Sequence, residues 1–301
     1  MIYIGKIITQ EYNYYLKQND NLNMSAPTIQ TTGLKRNTLD KYYTKPSIVE
    51  TCINLVRTHV TINPADLIIE PSAGNGAFIQ QIKTLSANHR FYDLEPDHAE
   101  ILQQDFLALD ILPLQALAQS KHIIGNPPFG RQSSLAIKFI KQCCQFANSI
   151  SFILPKSFKK DSMRKYFAAN YHLVHEYELP ENSFLVNDVE RDVPCVFQIW
   201  VLRPTPRDAI VKVEPLHFKF VTRDDSPDIA FRRVGINAAT ISQVIGDKSV
   251  QSHYFIKFTN GLSVPANLDK LKNMTFPFNN TVGAKSISKA EVIAKFNTLL
   301  A

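Results

Sequence analysis

The tetrapeptide Asn126-Pro127-Pro128-Phe129 carries the most specific chemistry in this sequence. It follows an apolar run that ends at Gly125, and because neither proline offers a backbone N–H, the pair predicts a rigid turn at a strand end. Such a turn would aim the Asn126 amide oxygen and the Pro127 carbonyl oxygen in fixed directions. Two acceptors of this kind would hold both hydrogens of an aromatic amine in the pyramidal form that can attack an electrophilic methyl group. Phe129 offers a face on which a flat base could stack.

A glycine-rich segment upstream could hold a small ligand. It follows a predicted strand and opens a predicted helix, and its glycines let the backbone approach a ligand without a Cβ clash. No Gly-Lys-Ser or Gly-Lys-Thr follows, so the segment is not a phosphate loop. The acid at the strand end could bind a ligand's ammonium group. The residues expected at this ligand are Glu70, Ser72, Ala73, Gly74 and Gly76.

Two further carboxylates stand where a nucleotide-like ligand would need them. Asp93 ends the next predicted strand, about twenty residues on, where α/β nucleotide-binding folds hold two ribose hydroxyls. Glu95 is the alternative at this position. Asp105 could accept a hydrogen bond from an adenine amine, and Phe106 could stack on its ring.

Strands and helices must alternate to position these residues. Apolar runs predict strands near residues 67–69, 91–92, 101–102, 122–124, 150–154, 172–179 and 195–202. Helical periodicity predicts helices over 47–60, 76–85, 134–146 and 162–169. This alternation indicates an α/β fold with a mostly parallel sheet covered on both faces, whose ligands bind beyond the carboxyl ends of the strands.

Three segments are predicted along the chain. Residues 1–37 are polar and aperiodic, which is typical of a flexible arm. Residues 38–204 form the ligand-binding α/β domain. Residues 205–301 form a small α+β accessory region, with strand-like runs over 209–213 and 254–258 and a helix over 288–299, where Ser288 and Glu291 form a capping box.

Composition narrows the function classes further. The chain has 301 residues, 45% of them hydrophobic, and a formal charge of +6 that is compatible with a polyanionic partner. No run approaches the about 18 to 20 apolar residues that cross a bilayer, so a soluble intracellular protein without a membrane partner is expected. Four cysteines without CxxC spacing support neither a zinc site nor a disulfide framework, and no metal is expected.

These motifs, in this order, resemble the class I amino-methyltransferases that act on adenine. The resemblance covers about residues 40 to 202 and includes the upstream element Tyr42-Tyr43-Thr44-Lys45-Pro46. It implies a Rossmann-like seven-stranded sheet and S-adenosylmethionine as cofactor. In that resemblance Tyr43, Thr44 and Glu70 lie near the cofactor, with Thr44 and Glu70 at its methionine moiety, Asp93 binds its ribose, and Asp105 with Phe106 lies at its adenine. The sequence departs from the family where Lys45 replaces a frequent proline and Ser72 a common Ala or Cys.

Basic and aromatic residues near the tetrapeptide are candidates for substrate binding. Arg131, Lys156 and Phe158 could follow a nucleic-acid backbone and pack a base. The resemblance implies that Phe184 forms a wall of the base pocket. Further phosphate contacts could come from the accessory region, at Lys212, Lys219, Arg223, Arg232 and Arg233.

The function predicted from the sequence is methylation of the exocyclic amine of adenine in nucleic acid. DNA is favoured and RNA comes next, and a duplex target would have to be flipped out of its stack. The alternatives are a protein glutamine N-methyltransferase and an inactive methyltransferase-like subunit that only binds a partner. The sequence leaves open the recognition site, the strandedness of the substrate, the oligomeric state and the need for a partner subunit.

Overall fold

The computed structural model describes residues 41–209, 212–277 and 285–301. The predicted arm over residues 1–37 lies outside these residues, as does the middle of the run predicted over 209–213. The described ends of that run are not strand.

Ten strands and five helices make up the first part of the described chain. The strands are β1 (Tyr43–Thr44), β2 (Leu67–Glu70), β3 (Asn88–Asp93), β4 (Leu102–Gln103), β5 (Lys121–Gly125), β6 (Ser149–Pro155), β7 (Tyr171–Glu178), β8 (Phe184–Val186), β9 (Val189–Arg191) and β10 (Cys195–Leu202). The helices are α1 (Pro46–His59), α2 (Ile79–Lys83), α3 (Leu112–Leu117), α4 (Ser134–Cys143) and α5 (Asp161–Arg164).

Seven of these strands form the central sheet, in the order β4-β3-β2-β5-β6-β10-β7. The first five strands of this order run parallel to one another, whereas β10 runs antiparallel to both β6 and β7. The chain leaves β2 for β3 on one side and later returns to place β5 on the other, so the strand order reverses at β2. The predicted seven-stranded, mostly parallel α/β sheet is confirmed.

The sheet is buried on both faces because successive residues of a strand point to opposite sides. Leu67 and Ile69 join one hydrophobic cluster and Ile68 joins the other. Helix α1 packs in the cluster of Ile68, and helix α4 packs in the cluster of Leu67. Pro46 opens α1 at a position where its missing N–H costs nothing.

Two helices are shorter than the sequence predicts. The helix predicted over 76–85 spans only Ile79–Lys83, since Gly76 has a φ of +81° that a right-handed helix excludes. The helix predicted over 162–169 ends at Arg164. Beyond this helix Phe167 is buried, and its ring stacks on Trp200 with ring centroids 4.0 Å apart.

A small sheet of β1, β8 and β9 lies beside the central one, and sequence patterns did not predict it. Strands β8 and β9 form a hairpin whose two-residue turn, Asn187-Asp188, has φ values of 49° and 60°. Turns with two positive φ values match the twist of paired strands. The hairpin holds β1 in place by pairing Thr44 with Phe184.

The C-terminal part forms an α+β unit, as predicted. Its strands β11 (Phe218–Val221), β12 (Ile229–Arg232), β13 (Ile241–Ser242) and β14 (His253–Phe258) form an antiparallel sheet in the order β11-β14-β12-β13. Helices α6 (Val264–Leu271) and α7 (Lys289–Leu300) share a hydrophobic core with this sheet. The predicted capping box of Ser288 and Glu291 is present at the start of α7. The division at residues 204 and 205 stays a prediction.

Candidate active site

The carboxyl ends of three neighbouring parallel strands bring the predicted site together. Strand β2 ends at Glu70, β3 at Asp93 and β5 at Gly125. Because β2 lies between β3 and β5, the loops that follow these strands meet at one edge of the sheet, beside the reversal of strand order. The glycine segment, the acidic turn (residues 93–97) and the proline turn (residues 126–129) are therefore neighbours.

The orientation of the Asn126 side chain is fixed by its own hydrogen bonds. Its Nδ2 donates to the Tyr42 carbonyl oxygen at 3.2 Å and to the Thr44 hydroxyl at 3.3 Å. The Tyr42 carbonyl can only accept, so the amide nitrogen must face it and the amide oxygen must point elsewhere. Within the part of the chain that the structure describes, Asn126 Oδ1 and the Pro127 carbonyl oxygen accept no hydrogen bond. Two free acceptors thus stand on consecutive residues of a rigid turn.

The main chain of this turn is held from both sides. The Ser72 hydroxyl donates to the Asn126 carbonyl oxygen at 3.2 Å. The Phe129 carbonyl accepts from Leu135 N at 3.1 Å, which ties the turn to the start of α4. Gly130 has a φ of +67°, and a Cβ there would lie 2.8 Å from the Leu135 side chain. The Phe129 ring is half-buried against both hydrophobic clusters.

Glu70 is a buried carboxyl group that lacks a partner. Its side chain lies against the backbone of Gly125, where an added Cβ would meet Glu70 Cγ at 3.1 Å. It is 2% exposed, and its Oε2 makes no hydrogen bond. Burial, together with the nearby charge of Asp93, raises the pKa of Glu70 well above its ordinary value. An ammonium group beside Oε2 would supply the missing donor and the opposite charge.

Asp93 connects the acidic turn to the glycine segment. Its Oδ2 accepts from Gly74 N at 2.8 Å, and its Oδ1 accepts from Glu95 N at 2.9 Å. Each oxygen keeps a further lone pair, so the carboxylate can still accept from hydroxyls of a ligand. Asp93 therefore shapes the loop as well as standing at the position expected for a ribose contact.

Residues before α1 cross over the glycine segment. Gly74 has a φ of +53°, and a Cβ there would meet the Tyr43 ring at 3.1 Å. The Tyr43 hydroxyl donates to Asp97 at 2.5 Å, and burial together with Asp97 raises the pKa of Tyr43 to about 12. Lys41 lies 3.4 Å from both Glu95 and Asp97. This crossing segment, residues 41–45, hereafter the strap, lies between the acidic turn and Asn126.

Several residues predicted at the cofactor have other contacts in the structure. Thr44 is 5% exposed and bonds to Asn126, and the Ser72 hydroxyl also serves the Asn126 turn. Asp105 is exposed and accepts from Leu107 N, which caps a short 3₁₀ turn. Phe106 is 1% exposed and stacks on Phe139, so its ring has no free face for an adenine. A stacking role for Phe106 is not supported.

The aromatic residues predicted at the substrate are core residues. Phe158 and Phe184 are fully buried, one in each hydrophobic cluster. The Phe184 ring packs edge-on against Tyr42, with centroids 6.3 Å apart. Because both rings are buried, neither has a face open to a ligand. Phe184 instead supports the strap through the pairing of β1 and β8.

The predicted phosphate contacts divide into a free cation and a paired one. Arg131 is exposed just beyond the proline turn and makes no ion pair with any described residue. Lys156 lies 2.6 Å from Glu178, an acid that also pairs with Lys159 and whose pKa these lysines lower. Lys156 is therefore a weaker candidate for phosphate binding than Arg131.

Sequence reasoning missed two contributors. The Tyr42 carbonyl is a main-chain group, and no residue pattern reveals that it binds a side chain far along the sequence. Asp97 lies in an acidic stretch with Asp93 and Glu95, and only the docked strap distinguishes it.

No helix in the described residues is long and apolar enough to span a membrane. The same residues contain no group of three His, Cys, Asp or Glu side chains placed to hold a metal ion.

No family model and no curated protein sequence matches this chain. Among solved structures, the chain is similar to a candidate RNA methyltransferase from Pyrococcus horikoshii, with 11% identity and a TM-score of 0.43 over 64% of this chain and 98% of that one. It is similar to a candidate class I S-adenosylmethionine-dependent methyltransferase from Listeria monocytogenes, with 16% identity and a TM-score of 0.41 over 58% of this chain and 63% of that one. It is also similar to the 23S rRNA methyltransferase ErmE, with 12% identity and a TM-score of 0.40 over 55% of this chain and 71% of that one. The fold class rests on the strand order and strand directions described above.

Proposed function

We propose that this protein is an S-adenosylmethionine-dependent methyltransferase that modifies the exocyclic amine of adenine in nucleic acid, with DNA the favoured substrate and RNA the next. The observation that carries the proposal is the pair of free acceptors, Asn126 Oδ1 and the Pro127 carbonyl, beside the unpartnered carboxyl of Glu70. One half of this arrangement suits a planar amine, and the other suits the ammonium of an amino-acid-bearing cofactor.

The residues at the sheet edge fit the proposed cofactor. Glu70 would bind its ammonium group, since a buried Oε2 without a donor is costly until a cation arrives. Asp93 keeps lone pairs for the ribose hydroxyls. S-adenosylmethionine held by these residues would supply an electrophilic methyl group.

The chain's own residues activate the amine. Asn126 Oδ1 and the Pro127 carbonyl accept its two N–H hydrogens, which draws its lone pair out of conjugation with the ring. Phe129 can stack on the base through the exposed part of its ring. Neither acceptor is a base, so the released proton passes to water once the nitrogen has been methylated.

Product analysis tests the chemistry and the substrate class together. The purified protein and methyl-labelled S-adenosylmethionine are incubated with duplex DNA, single-stranded DNA or structured RNA, which is then digested to nucleosides for mass spectrometry. N6-methyladenine in one pool is the expected result. Label on a protein would favour glutamine methylation, and no label in any pool despite cofactor binding would refute the adenine assignment for these substrates.

The variant Asn126→Ala tests the role proposed for the amide oxygen in the same methylation assay. It should lower turnover by about 10²- to 10³-fold, the usual effect of removing one preorganised hydrogen-bonding group from an active site. Cofactor affinity, measured by calorimetry, should stay near the wild-type value because no cofactor contact is removed. A variant that loses cofactor binding instead would refute the role given to Asn126.

A further inference from the structure

The accessory sheet carries two lysines directly opposite each other. Lys219 on β11 pairs in register with Lys257 on β14. Side chains at such positions have Cβ atoms about 4.5–5.5 Å apart, and like charges there repel each other. Neither lysine makes an ion pair with any described residue. The repulsion would be relieved by a ligand that brings negative charge between them.

These lysines line a cavity of about 620 Å³. A third lysine, Lys289 at the start of α7, lines it as well. Its Nζ lies 4.7 Å from the centre of the Phe220 ring, which holds the ammonium group at the cavity without neutralising it. Three lysines are thus among the residues that line the cavity, together with Phe220.

A single carboxylate lies among the lining residues, and it is already engaged. Asp225 Oδ2 accepts from Thr222 N at 3.0 Å and from the Thr222 hydroxyl at 2.7 Å. These hydrogen bonds, and then the charges of Lys219 and Lys257, lower the pKa of Asp225. Three lysines against one acid leave the cavity with a net positive charge of two.

Helix α7, whose first residue lines the cavity, is held at the carboxyl edge of the central sheet. Lys160, which follows β6 at that edge, lies 3.0 Å from Glu291 near the start of α7 and donates to the Ser286 carbonyl at 3.1 Å. Lys289 belongs to the same first turn of α7. The accessory sheet is therefore attached at the side of the central sheet where the strand ends form the candidate active site.

We propose that the cavity between Lys219, Lys257 and Lys289 binds the phosphodiester backbone of the nucleic acid that the candidate active site methylates. This inference rests on the proposed function. A lysine ammonium group acts as a point charge and can bind a phosphate oxygen without the bidentate geometry that arginine uses. Several lysines around a concave surface therefore suit a row of phosphates.

Nucleic-acid binding by the full chain tests this proposal. The probes are a short fluorescein-labelled DNA duplex and a single-stranded RNA of the same sequence, titrated by anisotropy across a range of salt concentrations. The double variant Lys219→Gln and Lys257→Gln should bind more weakly and should reduce the slope of log K against log salt by about 2, since each phosphate contact contributes about 0.9 for duplex DNA. Cofactor affinity should not change.

Two further variants separate binding from folding and from net charge. Lys219→Glu should lose binding while its melting temperature stays level or rises, because it faces Lys257 with an opposite charge. The control is Lys248→Gln with Lys272→Gln, which removes two positive charges from lysines already paired with Asp247 and Asp269. The control should keep the wild-type salt slope.

A slope that falls in the cavity variant and not in the control supports the site. Equal slopes in the wild type, the Lys219→Gln/Lys257→Gln variant and the control would overturn the cavity as a phosphate site. The proposed function would stay intact, since methyl transfer is measured separately. Wild-type protein that binds neither probe would overturn the proposal together with its nucleic-acid substrate.

Discussion

The contact between Thr44 and Asn126 gives the sharpest prediction. Thr44→Val keeps the shape of the buried side chain but removes the oxygen that accepts from Asn126 Nδ2. The amide would then be held by the Tyr42 carbonyl alone, at 3.2 Å, and would sample orientations that misplace its oxygen. We expect a lower kcat with little change in cofactor affinity.

The magnitude follows from one hydrogen bond. Such a bond has a net worth of about 0.5 to 1.5 kcal/mol. If all of it is expressed in the transition state, kcat falls by about 2- to 13-fold, because about 1.4 kcal/mol corresponds to a factor of ten. The loss should be smaller than that of Asn126→Ala, since Thr44 acts only through Asn126.

Single-turnover methylation measures this effect, with Thr44→Ser as the matched control. Serine keeps the hydroxyl and should restore most of the rate. Combining Thr44→Val with Asn126→Ala should cost no more than Asn126→Ala alone, because the two residues act as a unit. The reasoning would be refuted if serine were as impaired as valine, or if the two losses multiplied.

Three further predictions concern the titratable groups. In the wild type, S-adenosylmethionine affinity should rise as the pH increases through the raised pKa of Glu70, and Glu70→Gln should abolish that rise. Calorimetry in buffers of different ionisation enthalpy should show that wild-type binding releases a proton. Asp93→Asn should lower both cofactor affinity and the free energy of unfolding, the latter by about 0.5 to 1.5 kcal/mol, because an amide oxygen cannot replace both hydrogen bonds to Gly74 and Glu95; unchanged urea midpoints would contradict this. Burial lowers the pKa of His122 below 6.5, its ordinary value. The free energy of unfolding should therefore be highest above pH 6.5 and should decline as the pH falls further. Urea midpoints measured across this range should decline less steeply in His122→Gln.

The sequence predicted the central sheet and the proline turn because their signals are local. Buried parallel strands such as β5 and β6 are continuous apolar runs, and adjacent prolines mark a rigid turn wherever they occur. The sequence alone therefore predicts which two oxygens could accept from an amine. The same reasoning identified the capping box of α7, whose two residues lie three positions apart.

Local patterns are less informative where a residue's surroundings come from distant parts of the chain. Phe106 and Phe158 carry the same ring as Phe129, and only the packing of the sheet decides which of them is exposed. Lys156 pairs with Glu178 at the end of β7, and strand β10 lies between β6 and β7 in the sheet. Since this pairing depends on the order of the strands, the sequence alone does not predict it. The contact of Thr44 with Asn126 requires β1 to dock on β8, and no local pattern of residues reveals it.

That docking also sets when the site can form during folding. The strap contacts Asn126 across 82 and 84 positions of sequence, and its strand partner β8 follows Asn126 in the chain. Contacts between such distant segments must first overcome the entropy of closing a long loop, so they tend to form after local structure. The sheet and the proline turn can thus be native while the Asn126 amide is still free to rotate. Catalytic competence should be acquired in the last stage of folding, after most of the core is buried.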